Sequence, residues 1–228
     1  SAMKEKVKIL YEDADVIVVY KPAGIATQTD KIGQKDMESL LKNYIYRQMK
    51  VKQQPYLAVI HRLDQPVEGI LVFAKNPQAA KELNRQINMR GFGKEYQAVV
   101  CGKLPKEKGR LHNYLVKDNR TNRAFVCDKN RERAKEATLE YRLLEERQDG
   151  TSLVQVNLET GRFHQIRVQM ANIGCPLLGD AKYNPMTEKK GRWEQIALCA
   201  YRLTFSHPRT GKLMHFEIEP EGEAFRNR

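Results

Sequence analysis

The chain is predicted to fold as an α+β protein, a mixed but mainly antiparallel sheet with helices packed against it. Three observations lead there. Two short apolar runs, VIVVY at 16–20 and GILVFA at 69–74, read as buried strands. Apolar residues recur at helical spacing in three segments, 37–49, 77–90 and 166–173. Beyond Lys94, five stretches alternate apolar and polar residues: EYQAVVC, RLHNYLV, RAFVC, ATLEYRLLEE and SLVQVNLE, separated by Gly, Asn, Asp or Lys clusters.

VIVVY is the first predicted strand, and the turn chemistry of Lys21-Pro22-Ala23-Gly24 ends it. Asp36 is a candidate N-cap for a helix whose stripe is Met37, Leu40, Leu41, Tyr44, Ile45 and Gln48/Met49. Leu57–Ile60 and Gly69–Ala74 read as core strands flanking a polar knot, His61–Glu68. Asn76-Pro77 supplies an N-cap and a proline at the first helical position; Leu83 and Ile87 share a face, Arg90 closes the last turn and Gly91 is the candidate left-handed terminator. Gly161-Arg162 closes the strand-rich region, and Ile166, Met170 and Ile173 continue at helical spacing until Gly174. Arg162 therefore stands at a strand-to-helix turn, and Arg167 about one turn inside the helix. After Gly179-Asp180 and a lysine-rich loop, Leu198–Phe205 and Leu213–Ile218 are two further strands joined by a His207–Gly211 turn. With no internal repeat or low-complexity linker, one domain over 4–220 is expected, and Ser1-Ala2 before Met3 reads as a tag remnant.

Composition narrows the function classes. The chain has 228 residues, 41% hydrophobic and 30% charged, which excludes large-scale disorder and fibrous architecture. At this size roughly 70% of the unfolded surface can be buried, so disulfides and structural metals are not needed for a core. No apolar run approaches the roughly 18 residues that span a bilayer, and SAMKEKVKIL lacks a signal core, so a cytoplasmic protein is expected. Cys101, Cys127, Cys175 and Cys199 lie far apart without a CxxC pair and read as free buried thiols; the five histidines form no HExxH, and no metal is expected. Lys and Arg number 40 against 28 Asp and Glu, a net +12, which attracts polyanions and most commonly nucleic acid. The richest stretch, Lys117–Lys135, holds seven Lys/Arg against three Asp/Glu, and a solvated hairpin explains it equally well.

Asp64 is the first candidate for chemistry. A carboxylate between two core strands is costly unless something holds its charge, although a capping or turn role with Gln65-Pro66 is the plainer alternative. The surrounding string, HRLDQPVEGILVFAK (61–75), resembles the catalytic motif of the RluA-type pseudouridine synthases. Three more matches follow that family's pattern in order: VVYKPAGIATQ (18–28), KEYQAVVCG (94–102) and GRFHQIRVQMANIGCPLLGDAKY (161–183). The chain departs from it locally: Val67-Glu68 replaces a Thr/Ser pair, Phe163 a Thr, and Gln169 a common His. No S4-like RNA-binding module is expected ahead of the catalytic region.

The resemblance implies the pseudouridine synthase catalytic fold and conversion of a uridine in structured RNA, ribosomal or transfer, to pseudouridine. That isomerisation changes no oxidation state, so neither cofactor nor metal is expected. Asp64, Tyr96 and Arg167 are the implied catalytic residues: Asp64 acts at the ribose, Arg167 is its ion-pair partner, and Tyr96 stacks on the uracil and is placed to take the proton from C5. An ordinary strand aromatic is the alternative for Tyr96. Arg62, Leu203 and Arg162 are the candidate substrate-binding residues. Arg62 occupies space left by a turned-out nucleotide or holds a phosphate, with a structural salt bridge to Glu68 or elsewhere as the competing role; Leu203 packs under the uracil or the site. Arg162 and His164 order the turn, and His164 is expected to be hydrogen-bonded rather than an acid or base. A catalytically silent RNA-binding or ribosome-assembly module is the alternative function, and a hydrolase using Glu68 beside Asp64 a further rival. A monomer is expected.

Overall fold

The computed structural model describes residues 6–89, 91–187 and 195–226. In chain order the elements are β1 (Lys8–Glu12), β2 (Val16–Lys21), α1 (Met37–Gln48), β3 (Ala58–Val59), β4 (Glu68–Ala74), α2 (Pro77–Asn88), β5 (Gly93–Cys101), β6 (Lys108–Asp118), β7 (Arg123–Cys127), β8 (Lys135–Glu146), β9 (Thr151–Leu158), α3 (Gln165–Asn172), β10 (Leu198–Ser206) and β11 (Leu213–Glu217). They form two compact units, residues up to Gly93 with Tyr201–Glu219, and Lys94–Ala200 with the residues from Pro220. The tag remnant and Arg90 lie outside the described residues, as does most of the lysine-rich loop.

In the first unit the strand order is β1-β2-β4-β10, with β11 paired to β10 and β3 to β4. β2 lies antiparallel to both β1 and β4, and all residues of β2 and β4 are buried, which is why both read as apolar runs rather than alternations, with a charged residue only at one end of each, Lys21 and Glu68. β1 has no counterpart among the strands that the sequence predicts. Its residues are partly exposed, and a five-residue edge strand carries little periodic signal.

Both N-caps form as expected. Asp36 Oδ1 accepts from the Ser39 N–H at 2.7 Å, and Asn76 Oδ1 from the Ala79 N–H at 2.8 Å. α2 ends at Asn88, two residues earlier than predicted. Its face of Ala79, Ala80 and Leu83 packs with Val16, Val18, Ile70, Val72, Phe92, Leu203 and Phe205 into one core. Complete burial of a side chain such as Leu83 contributes about 1.5–3 kcal/mol.

The second unit carries the antiparallel order β5-β9-β8-β6-β7. The start of β10 also belongs to it, beside β5, where the Val99 N–H donates to the Ala197 carbonyl at 3.0 Å. α3 starts after His164, whose φ of 55° is left-handed, and ends before Gly174 at φ 82°. Val168 on α3 packs against Leu115, Ala124 and Ala137, so the helix covers the strand face that leads into the β6–β7 hairpin. Gln169, fully buried, fastens the same contact: its Nε2 donates to Asn113 Oδ1 at 3.0 Å and to the Ala137 carbonyl at 3.1 Å, and its Oε1 accepts from Gln165 Nε2 at 2.9 Å. All four cysteines are free, but only Cys175 and Cys199 are buried; Cys101 and Cys127 are half-exposed because they end strands.

Candidate active site

Asp64 sits half-buried on the turn between β3 and β4, and the loop after β2 holds that turn on both sides of it. On one side, Thr27 Oγ1 donates to the Leu63 carbonyl and accepts from the Leu63 N–H, both at 3.1 Å. On the other, the Gly24 N–H donates to the Gln65 carbonyl at 2.7 Å and Gln65 Nε2 donates to the Gly24 carbonyl at 2.9 Å. Gly24 adopts φ 103°, a conformation open to glycine and strained for other residues, which explains the Lys-Pro-x-Gly sequence there. The carboxylate is thus carried by backbone pinned at its two neighbours.

Lys21 closes the same loop from inside. Its side chain is fully buried, and Nζ donates to the carbonyls of Ile25 at 2.6 Å, Pro22 at 3.0 Å and Gln65 at 3.1 Å. Three carbonyls use all three N–H bonds of an ammonium. Burial pulls that ammonium down to about 7, against which the carboxylates of Asp64 and Glu68 favour its charge. Glu68 is also fully buried, and the Tyr20 hydroxyl donates to its Oε1 at 2.9 Å. Arg62 is exposed and donates from Nη2 to Gln28 Oε1 at 2.6 Å, so the competing salt bridge to Glu68 is not the arrangement adopted.

In the second unit Tyr96 lies on β5, opposite Val156 of β9 and only 6% exposed. Arg167 projects from the first turn of α3 into a buried ion pair with Asp180: Nε meets Oδ2 at 2.8 Å and Nη2 meets Oδ1 at 2.9 Å. The guanidinium also lies 5.1 Å from the centre of the Tyr183 ring. Asp180 is fully buried and accepts the Lys182 N–H at 3.1 Å as well. Gly179 makes this turn possible, because at φ 83° a Cβ would run into the Gln195 carbonyl. Arg162 donates from Nε to the Glu136 carbonyl at 2.7 Å. His164 shares a 2.6 Å hydrogen bond with the Tyr183 hydroxyl, in keeping with the structural role expected of it. A cavity in this unit is lined by four carboxylates, Glu145, Glu146, Asp149 and Glu223, against two guanidinium groups, Arg147 and Arg226, a net negative lining that does not favour a polyanion.

The family model described as RNA pseudouridylate synthase matches residues 15–172, which span the Asp64 turn, Tyr96 and Arg167. The chain belongs to the RNA pseudouridylate synthase family. Within it the chain is of RluA type: it is 33% identical over 215 residues to the dual-specificity RNA pseudouridine synthase RluA of Yersinia pestis, covering 93% of this chain and 98% of that one. It is 35% identical over 220 residues to the ribosomal large subunit pseudouridine synthase D of Nitrosomonas europaea, covering 92% of this chain but 61% of that relative's length. The fold matches the solved human RNA pseudouridylate synthase domain containing 4 with a TM-score of 0.77 at 22% identity, over 94% of this chain and 89% of that one.

For a synthase of this family, residue order alone assigns no role to three side chains: Lys21, Asp180 and Tyr183. Lys21 and the Asp180/Tyr183 pair stood inside quoted motifs, KPAG and GDAKY, but nothing local shows that an ammonium closes the Asp64 loop or that a carboxylate grips Arg167. Leu203 is 1% exposed on β10 within the first unit's core, paired with Phe216. Asp13, Asp15 and His207 bring three potential metal ligands within 4.8 Å of one another. Their atoms are engaged by protein donors: Asp13 Oδ2 accepts from Tyr11 and His207, Asp13 Oδ1 from two backbone N–H groups, and Asp15 from both arms of Arg209. The cluster reads as a pin between the β1–β2 and β10–β11 turns.

Proposed function

We propose that this protein isomerises specific uridines of structured RNA, ribosomal or transfer, to pseudouridine in the cytoplasm, as a monomer and through Asp64. The observation that carries the reading is the family match across a turn whose backbone is pinned on both sides of a half-buried carboxylate. In the reaction the C1′–N1 bond breaks, the uracil turns over, C5 bonds to C1′, and the proton lost from C5 is balanced by one gained at N1. Asp64 serves at the ribose, by attack on C1′ or by removal of the 2′ proton, and both routes need it ionised. Arg167 is the proposed guanidinium partner, held rigid by Asp180, and Tyr96 is proposed to take the C5 proton. Arg62, exposed and only lightly tethered to Gln28, is free to follow a departing nucleotide or a phosphate. Arg162 and Leu203 are proposed to support substrate binding by ordering the α3 turn and backing the site.

Hydrolysis is disfavoured by Glu68, which is sealed in the core against Tyr20 where it cannot activate a water. Tritium release from C5-labelled uridine RNA tests the proposal. Asp64→Ala and Asp64→Asn are expected to abolish release while keeping RNA affinity within a few fold, and normal turnover in either variant refutes the role of Asp64. A wild-type protein that binds RNA and releases no tritium would instead support the silent RNA-binding module.

A further inference from the structure

Phe163 stands where the family pattern has a threonine, and the second unit builds a ring ladder around it. His164 stacks on one face, with centroids 3.7 Å apart and planes 22° from parallel. The Lys117 ammonium lies over the same ring, 4.1 Å from its centre. His164 meets Tyr183 edge-on at 5.5 Å, and Tyr183 in turn lies 5.2 Å from the Arg123 guanidinium and 5.1 Å from that of Arg167. The ladder therefore runs from the β6–β7 hairpin to the guanidinium proposed for the reaction centre.

Two features of the ladder are open to a partner from outside. Phe163 is only half-buried: it packs against Leu115, Ala124, Ala137 and Val168, and the exposed side chain of Lys117 lies over its ring. Among the described residues neither Lys117 nor Arg123 is paired with a carboxylate, and Arg123 Nε is buried without any hydrogen-bond acceptor. Two cations resting on ring faces with no anion between them are suited to phosphate, and an aromatic face beneath a movable lysine is suited to a base, whichever base it is.

We propose that Phe163 is a stacking platform for an unpaired nucleobase flanking the target uridine, exposed when Lys117 swings off the ring to share an adjoining phosphate with Arg123. The proposal rests on the RNA-modifying function argued above. A threonine at this position offers no such face, so the platform distinguishes this chain from its family's usual pattern.

The test measures binding of the full chain to a single-stranded oligouridylate and to a fully paired RNA duplex across a salt series. Phe163→Ala is expected to weaken the single-stranded probe about tenfold, to leave duplex binding unchanged, and to leave the salt slope unaltered. Phe163→Trp, which keeps a ring, is expected to bind as the wild type does. Lys117→Ala and Arg123→Ala are each expected to reduce the salt slope by about one unit. Equal affinity of Phe163→Ala and wild type for the oligouridylate overturns the platform, as does an equal loss on the duplex or a failure of Trp to rescue. Tritium release by the wild type separates the two readings: release with no Phe163 effect removes the platform alone, and a Phe163 effect without release removes the isomerase and, with it, the target-flanking role, leaving only a stacking site for single-stranded RNA.

Discussion

Lys21 is the residue whose position changes the reading of the site most. A fully buried ammonium is costly, and here three carbonyls and two nearby carboxylates offset the cost. Its folded value of about 7 lies below the ordinary 10.5, so between those limits the unfolded chain binds the extra proton. Stability contributed at this position therefore rises as the pH climbs from about 7 toward 10.5, and Lys21→Met is expected to flatten that rise while lowering stability overall by stranding three carbonyls. Denaturant midpoints across the range check it. Arg167 and Asp180 give a second case. Breaking a buried ion pair by removing one partner costs about 3–5 kcal/mol, so Asp180→Ala should destabilise the protein by that order. Arg167→Lys should destabilise it too, since an ammonium cannot span both carboxylate oxygens. Wild-type midpoints in both variants would deny the clamp.

At the level of elements, caps and turns hold the strands in register, and one of them titrates. Burial alone would push the Asp13 carboxyl up, but hydrogen bonds from Tyr11, Val16, Asp15 and His207 outweigh it and hold the group at about 2 against an ordinary 3.8. Arg209 likewise holds Asp15 below the usual carboxylate range. A depressed carboxyl contributes stability that is fully present above its unfolded value and lost as the pH falls through its folded one. For Asp13 the window is about pH 4 down to 2, and the contribution is about 2 kcal/mol. Asp13→Asn is expected to lower stability at neutral pH and to flatten the thermal midpoint between pH 4 and 2; an unchanged acid slope would remove the pin from the account. Helices α1 and α2 were legible at this scale because Asp36, Asn76 and Pro77 act within one turn of themselves. β1 was not, because its pairing with β2 is a contact across a turn and leaves no period in five residues.

For the whole molecule the governing quantity is the net charge of +12. Polyanion binding driven by it releases counterions, so log affinity for RNA should fall linearly with log salt, by about 0.7–0.9 for each phosphate engaged. Filter binding or fluorescence anisotropy from low to physiological salt measures this. An affinity that ignores salt would exclude the basic surface from recognition. Substitutions of Lys or Arg within 117–135 should each reduce the slope by about one if this segment, the β6–β7 turn, β7 and the loop into β8, touches phosphate. No helix among the described residues is long and apolar enough to cross a membrane.

Family, fold class, the order of nearly all strands and helices, and the identity of Asp64, Tyr96 and Arg167 as candidates could be read from residue order, because motifs and periodicities are local and survive in one dimension. The partners of those residues could not. That Glu68 seals against Tyr20, that Gln169 zips α3 to the neighbouring strands, and that Arg167 is gripped by Asp180 are outcomes of packing between segments distant in the chain. Hydrogen bonds and ion pairs depend on distances of a few ångströms, and those distances are set only when the core closes and burial removes water as the competing partner.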